Sequence, residues 1–244
     1  MRTIRIYTDQ PLTIGEPLTL EPTASRHLVL VLRLKAGDTI TLFNGQGGEF
    51  LCTLEQCSPK KVIVNVHSFE NISRESPLNI HLGIGISRGD KMDWVIQKAA
   101  EAGVTEITPL FTERTEVKLK GERADKKIRH WQQVSASACE QCYRNQLPTL
   151  HSPVPLNEWL REAQAEKKLV LHHRSQQTLS DLSSQKTNSV ALLIGPEGGL
   201  SAQEVELAEA AQFLSLTLGP RVLRTETAPI IAIGILQYLW GDYQ

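Results

Sequence analysis

The residues most able to do chemistry concentrate in two short segments near the carboxyl end of the 244-residue chain. In the first, a β-type run, SVALLI (Ser189 to Ile194), passes through Gly195, Pro196, Glu197, Gly198 and Gly199 into a helical stretch. Ser201 and Glu204, three residues apart, form the pattern of a capping box. Three glycines let a backbone bend sharply and approach a ligand closely, and the crevice beyond the carboxyl end of such a strand is where open α/β sheets bind ligands. A tight strand-to-helix turn also fits; of the two readings ligand binding is favoured.

The second segment, Gly219 to Pro229 (GPRVLRTETAP), follows another β-type run and again enters a helix. Two strands ending in Gly-Pro loops suggest two walls of one pocket. Arg224, Thr225, Glu226 and Thr227 then bring polar groups into apolar surroundings. Glu226 and Thr227 equally suit the first turn of a helix, where acids and Thr are favoured.

Other motifs are excluded by spacing. Gly83, Gly85 and Gly89 in HLGIGISRGDK miss the dinucleotide fingerprint, because Arg88 stands where its last glycine belongs, and no GxxxxGK[ST] occurs. Asp90 suits the cap of the following helix, while Arg88 and Lys91 suit either a phosphate contact or a solvated turn. The seven histidines show no metal-ligand spacing, since His172 and His173 leave a strand on opposite faces, and no metal is expected. Cys139 and Cys142 form a CxxC, but Cys52 and Cys57 lack matching spacing, so reduced, packed thiols are expected rather than zinc ligands. No nucleophile with a partnered base stands out.

These segments need a scaffold. From Leu78 onward β and α segments alternate, the pattern of a mostly parallel sheet covered by helices. The expected strands are Asn79 to Ile86, Glu106 to Phe111, Lys168 to His172, Ser189 to Ile194 and Phe213 to Leu218. The expected helices are Asp90 to Ala102, Ala124 to Cys142, Leu156 to Ala165, Ser201 to Ala211 and Ala228 to Trp240. Before Leu78 the chain reads as a small β-rich unit with strands at Thr39 to Phe43, Glu49 to Leu54 and Lys61 to Val66, and one helix at Ser25 to Leu34. The polar stretch SFENISRESP (Ser68 to Pro77) marks the boundary, giving units 1–72 and 73–244.

Composition is that of a soluble globular protein, with 41% hydrophobic and 22% charged residues. No apolar leader opens the chain, and the run from Ile230 to Trp240 is too short to span a bilayer, so a cytoplasmic location is expected. The net charge of −1 excludes a strongly basic nucleic-acid binder, yet charge is unevenly spread. From Arg114 to Arg144 eight basic residues (Arg114, Lys118, Lys120, Arg123, Lys126, Lys127, Arg129, Arg144) face four acids. That excess suits phosphate contact or a solvated helix face.

LLIGPEGGLS followed by LGPRVLRTETA closely resembles the RsmE group of SPOUT methyltransferases. RIY near the start, HLVLVLRLKAGD, SRGDKMDWVIQKAAEAGVTEITPLFTERT and ACEQCYRNQLP extend the resemblance over nearly the whole chain. It implies an α/β protein with an N-terminal PUA-like RNA-binding β-barrel and a C-terminal SPOUT domain with a deep trefoil knot, forming a homodimer. The implied activity is methylation of N3 of a uridine in 16S ribosomal RNA, within the small ribosomal subunit, from S-adenosyl-L-methionine. The implied donor contacts are Leu171 and His172; Ile194, Gly195, Pro196, Glu197, Gly198, Gly199 and Leu200; and Leu218, Gly219, Val222, Leu223, Arg224, Thr225, Thr227 and Ala228. The places where ribose methylators of this fold carry Asn and Arg hold MDWVIQKAAEAGV and LRTETA here, which favours base methylation.

For that reaction an imide proton must leave and charge must be stabilised on the flanking carbonyls. Arg224 is the candidate for stabilisation, and Glu226 for base or orienting group. RNA contacts are expected from Arg5, Arg26 and Arg33, from Arg88 and Lys91, and from Arg114, Lys126, Lys127 and Arg144. Two rivals are a non-catalytic RNA-binding or assembly factor that kept the fold, and a nicotinamide-dependent oxidoreductase, which would need the missing dinucleotide fingerprint.

Overall fold

Alternating apolar residues in the first third of the chain build a sheet with one buried face. The computed structural model describes residues 4–117, 119–172, 175, 177, 178 and 186–244; Lys118 and His173 lie outside the described residues. The strands are β1 (Arg5–Tyr7), β2 (Pro17–Thr19), β3 (Thr39–Phe43), β4 (Glu49–Ser58) and β5 (Lys61–Glu70), in the order β1-β3-β4-β5-β2. All pairs are antiparallel except β1 with β3. Ile40, Leu42, Leu54, Val62 and Val64 point to one core, which Leu28 also enters.

The expected helix at Ser25 to Leu34 takes a different form. It starts earlier, as α1 (Pro22–Arg26) with proline at its first turn, and continues as a π-helical turn at His27–Val31. The HLVLV run, with β-branched valines at 29 and 31, buries only Leu28, leaving Leu30 and Val31 exposed, and Arg33 at φ 57 ends the helical run.

The second unit is an α/β sheet whose named pairings are all parallel. Its strands are β6 (Asn79–Gly85), β7 (Glu106–Phe111), β8 (Thr149–Leu150), β9 (Val154–Pro155), β10 (Lys167–Leu171), β11 (Ser189–Ile194) and β12 (Leu214–Leu216). Its helices are α2 (Lys91–Glu101), α3 (Glu122–Cys142), α4 (Leu156–Glu162), α5 (Ala202–Ala210) and α6 (Thr227–Trp240). The order is β12-β10-β11-β6-β7-β8, with β9 also on β7. All the expected strands and helices after Leu78 are present, with ends shifted by a few residues; Asp90 stands at the N-cap of α2 but its side chain makes no capping bond.

β11 shows why the central strands are continuous apolar runs. Val190, Leu192 and Ile194 join the core shared with α2 and α6, whereas Ala191 and Leu193 join the core shared with α4 and α5. A strand covered by helices on both faces has no solvated side to be polar on. By compactness the first unit takes Met1–Glu75 with Ala136–Leu147, the end of α3 and the turn after it, a segment that the sequence expectation assigned to the second. Among the described residues no helix is long and apolar enough to cross a membrane.

Candidate active site

The parallel sheet delivers β10, β11 and β12 with their carboxyl ends on one edge, and the loops leaving those ends build the site. After β11 the chain turns at Gly195, where an added Cβ would stand 2.8 Å from the Leu200 nitrogen. Gly199 has φ +67 and donates its N–H to the Pro196 carbonyl at 2.8 Å, closing the loop. Gly85 at the end of β6 lies so close that a Cβ there would come within 2.4 Å of the Pro196 nitrogen and Cδ. The loop therefore rests directly on neighbouring backbone.

The next helix holds this loop from the other side. The capping box is formed: the Glu204 N–H donates to Ser201 Oγ at 3.3 Å and the Ser201 N–H to Glu204 Oε2 at 2.9 Å. The other Glu204 oxygen accepts from the Glu113 N–H at 2.7 Å, tying in the segment that carries Arg114. Arg114 donates to the Gly198 carbonyl at 2.7 Å. Glu197 accepts from the Arg88 N–H at 3.1 Å and from Lys91 Nζ at 3.3 Å. Burial pushes the Glu197 carboxyl up, but the backbone amides and the Lys91 ammonium outweigh it and hold it below the usual carboxylate range.

The opposite wall starts at β12. The His172 N–H donates to the Leu216 carbonyl at 2.8 Å, Thr217 Oγ1 to the Gly219 carbonyl at 3.1 Å, and Gly219 turns at φ +97. The N–H groups of Thr227 and Ala228 both donate to the Arg224 carbonyl at 2.9 Å, which launches α6. Glu226 occupies its N-cap without a side-chain capping bond, so the helix-cap alternative for that carboxylate is not the one adopted. Glu226 Oε2 is buried with no partner among the described residues, and Oε1 lies 4.0 Å from Arg224 Nη1. The Arg224 side chain is 81% exposed.

Between the walls lies a cavity of about 250 Å³. Of the residues expected at a donor site, Leu171, His172, Ile194 to Leu200, Leu218, Val222, Leu223, Thr225 and Ala228 line it. Gly219, Arg224 and Thr227 flank it without lining it. Leu216, Thr217, Arg221 and Arg114 also line it. Leu216 and Thr217 directly precede the second glycine-proline loop and Arg221 lies within it, so all three were within reach of a wider reading of that motif. Arg114, expected at RNA, had no local signal for this place.

The basic residues divide. Arg26 and Arg33 are exposed, as are Arg88, Arg114 and Lys126, whereas Lys91 and Lys127 are half-buried. Arg5 and Arg144 are not surface charges: their side chains are 1% and 5% exposed. Arg5 pairs with Glu49 and donates to Asn145 Oδ1 at 2.6 Å, while Arg144 Nε donates to Glu75 at 2.8 Å. Guanidinium groups so enclosed hold the first unit together and are not free to meet phosphate, which corrects the RNA role expected of these two.

Folding also assembles histidines that spacing kept apart. Ligand-capable atoms of His81, Glu106 and His151 all lie within 4.8 Å of one another. His81 Nε2 is occupied, accepting from Trp159 Nε1 at 3.1 Å and lying 2.8 Å from Thr108 Oγ1. Burial pushes the His81 pKa down to about 4. Glu106 opens β7, so this cluster belongs to the strand ends away from the cavity.

Comparison with known proteins gives a consistent result. Residues 74–237 match the RNA methyltransferase domain family, and residues 20–66 the RNA methyltransferase PUA domain. The chain is 35% identical to the ribosomal RNA small subunit methyltransferase E of Buchnera aphidicola subsp. Acyrthosiphon pisum, covering 98% of this chain and 95% of the relative. It is 34% identical to that of Bacillus subtilis, covering 87% and 86%. The crystal structure of a ribosomal RNA small subunit methyltransferase E from Neisseria gonorrhoeae, bound to S-adenosyl methionine, matches with a TM-score of 0.92, 37% identity and 100% of both chains. A Legionella pneumophila structure in complex with the cofactor SAM matches with a TM-score of 0.96, 48% identity, and 99% and 100% of the two chains.

Proposed function

The chain belongs to the ribosomal RNA small subunit methyltransferase E family, and from that premise we propose that it methylates N3 of a uridine in 16S ribosomal RNA. The observation that carries this reading is the cavity built from Gly195 to Leu200 and Leu216 to Ala228, with S-adenosylmethionine the cofactor of its relatives. The fit is steric. Glycine at 85 and 195 lets the loop rest on β6 and fold back on Leu200, which shapes one wall, and the walls combine aliphatic side chains with few polar groups.

When bound, the donor supplies an electrophilic sulfonium methyl. The protein's part is to hold both reactants in line, remove the N3 proton and balance the charge that spreads onto the uracil carbonyls. Arg224, exposed at the cavity edge, stabilises that charge, and the Glu226 carboxylate beside it takes the proton or orients the base. Because pairing occupies N3 in a duplex, the target nucleotide enters unpaired or flipped out. Arg26, Arg33 and Lys126, exposed and without an ion pair among the described residues, are the cations for backbone phosphates.

The proposal extends to the knot, the barrel and the dimer. The β11 strand lies between β6 and β10, although β10 precedes it in the chain, which supports a knotted path. The five-stranded first sheet supports a PUA-like barrel. On α6, apolar on nearly every side, Ile231 is 41% and Tyr238 63% exposed, a face that supports a homodimer. The ribosomal substrate within the small subunit gives a cytoplasmic location.

The test incubates the protein and labelled donor with ribosomal subunits and naked RNA lacking the modification, and maps the methylated base by mass spectrometry. Methyl on uracil N3 of 16S RNA is expected; methyl on ribose, or none, overturns the reading. Donor affinity without any transfer would favour a non-catalytic factor. Arg224→Ala should cut turnover by about 100-fold or more with donor affinity unchanged, a loss typical for removing one charge-stabilising donor. Full turnover in that variant removes Arg224 from the chemistry.

A further inference from the structure

Among the described residues the most exposed of the larger apolar side chains is Val222, at 77%, and it stands on the lining of the donor cavity. A single exposed valine is common on protein surfaces; this one is set apart by its place and its neighbours. Arg221 and Arg224 bracket it, both exposed, while Leu223, also on the cavity lining, is half-buried. Val222 is thus the solvent-facing member of two adjacent apolar residues. The loop that holds it is pinned at both ends. Thr217 Oγ1 donates to the Gly219 carbonyl and Gly219 turns at φ +97, and the Arg224 carbonyl accepts from the N–H groups of Thr227 and Ala228.

Size and charge say what covers this side chain. The cavity, about 250 Å³, is smaller than the roughly 300–1,000 Å³ usual for a site that encloses a small molecule. A bound donor therefore fills it, and the acceptor comes in over the rim, where Val222 stands. The charge beside it suits a polyanion. Arg221 has no ion pair among the described residues, and Arg224 Nη1 is 4.0 Å from its carboxylate neighbour, Glu226 Oε1. Two such guanidinium groups flanking one aliphatic side chain disfavour an apolar protein face. They suit a nucleotide, which is apolar on the faces of its base and anionic along its backbone.

We infer that Val222 carries the acceptor base: the unpaired uracil lies with one face on the Val222 side chain at the mouth of the donor cavity. This rests on the reading that the chain methylates uracil, and it gives to the acceptor a residue that the family resemblance places on the donor. A base taken out of its stack leaves its neighbours behind, and enzymes that act on such a base replace them with apolar or aromatic side chains. Valine offers that face without hydrogen-bonding groups, so it fixes the plane of the ring and leaves the identity of the base to polar contacts at its edge. With the plane fixed, N3 is confined to the approach of the methyl group.

In the intact protein, Val222→Ala should lower kcat/KM for ribosomal subunits lacking the modification by about fivefold or more, with calorimetric donor affinity within twofold of the parent. Val222→Thr, which keeps the shape and exchanges one methyl for a hydroxyl, should fall between the two. The position is exposed, so folding is preserved, and thermal melting verifies it. A kcat/KM within twofold of the parent for Val222→Ala overturns the inference. So does a loss of donor affinity equal to the loss of kcat/KM, which places the side chain on the donor, or a changed sedimentation coefficient, which places it against a second copy. A further readout needs no turnover: 16S RNA transcribed with 4-thiouridine is photo-crosslinked to the protein, and the adducts are mapped by peptide mass spectrometry. Adducts within residues 219–229 are expected, and their absence overturns the placement. Absence of methyl transfer in the unaltered protein would instead overturn the proposed function, and the crosslink map would still decide where the base lies.

Discussion

Gly85→Ala puts the donor-site geometry to its sharpest test. The ideal Cβ at residue 85 stands 2.4 Å from both the nitrogen and Cδ of Pro196, well inside contact distance. Proline has no rotamer that clears it, because its ring and its backbone nitrogen are one rigid group. The strain must therefore move the loop or β6, and β6 is fixed on both sides by β11 and β7. Overpacking by one methyl typically costs about 1–3 kcal/mol. If the loop carries that strain in the bound state, with tenfold for each 1.4 kcal/mol, donor affinity falls by roughly 5- to 150-fold. Isothermal calorimetry with S-adenosylmethionine measures it, and thermal melting verifies that the variant is folded. Gly199→Ala is the comparison, since nothing lies within 4 Å of its Cβ and only the φ of +67 is strained. A folded Gly85→Ala protein that binds donor within twofold of the parent would refute the claim that the loop rests on residue 85.

Two other outcomes depend on named contacts. Glu204→Ala removes the capping box and leaves the Glu113 N–H without its acceptor, so stability should fall by about 2–4 kcal/mol in urea titration; a change under 0.5 kcal/mol would show that the carboxylate is dispensable. His81 has its pKa pushed by burial from 6.5 to about 4. The unfolded chain then takes up the proton first, so this contribution is complete above about pH 6.5 and is lost as pH falls towards 4, with a ceiling of roughly 3 kcal/mol. His81→Gln should flatten the stability profile across that window, and an unchanged acid slope would deny the histidine this role.

The second unit was readable in the sequence because periodicity and punctuation agreed there. SVALLI is apolar throughout since β11 is covered on both faces, and Ser201 with Glu204 named the start of α5 correctly. Where spacing misled, packing was the cause. Gly83 and Gly85 look like a damaged phosphate motif; in the fold they make room for Trp159 and Pro196. Arg5 and Arg144 look like surface charge but lie in a network whose members are up to 140 positions apart, a separation that local pattern cannot register. The same applies to His81, Glu106 and His151.

The strand order also bears on how the chain is made. β6 and β7 are synthesised well before β11, yet in the finished sheet it is β11 that lies beside β6 and joins it to β10. On a ribosome adding about 5–20 residues per second, the β6 edge waits several seconds for its neighbour. During that interval Ile80, Leu82 and Ile84, all fully buried in the folded protein, belong to an open strand edge that any extended segment can pair with. Translation speed between Gly85 and Ser189 therefore sets how long that edge stays open to wrong partners.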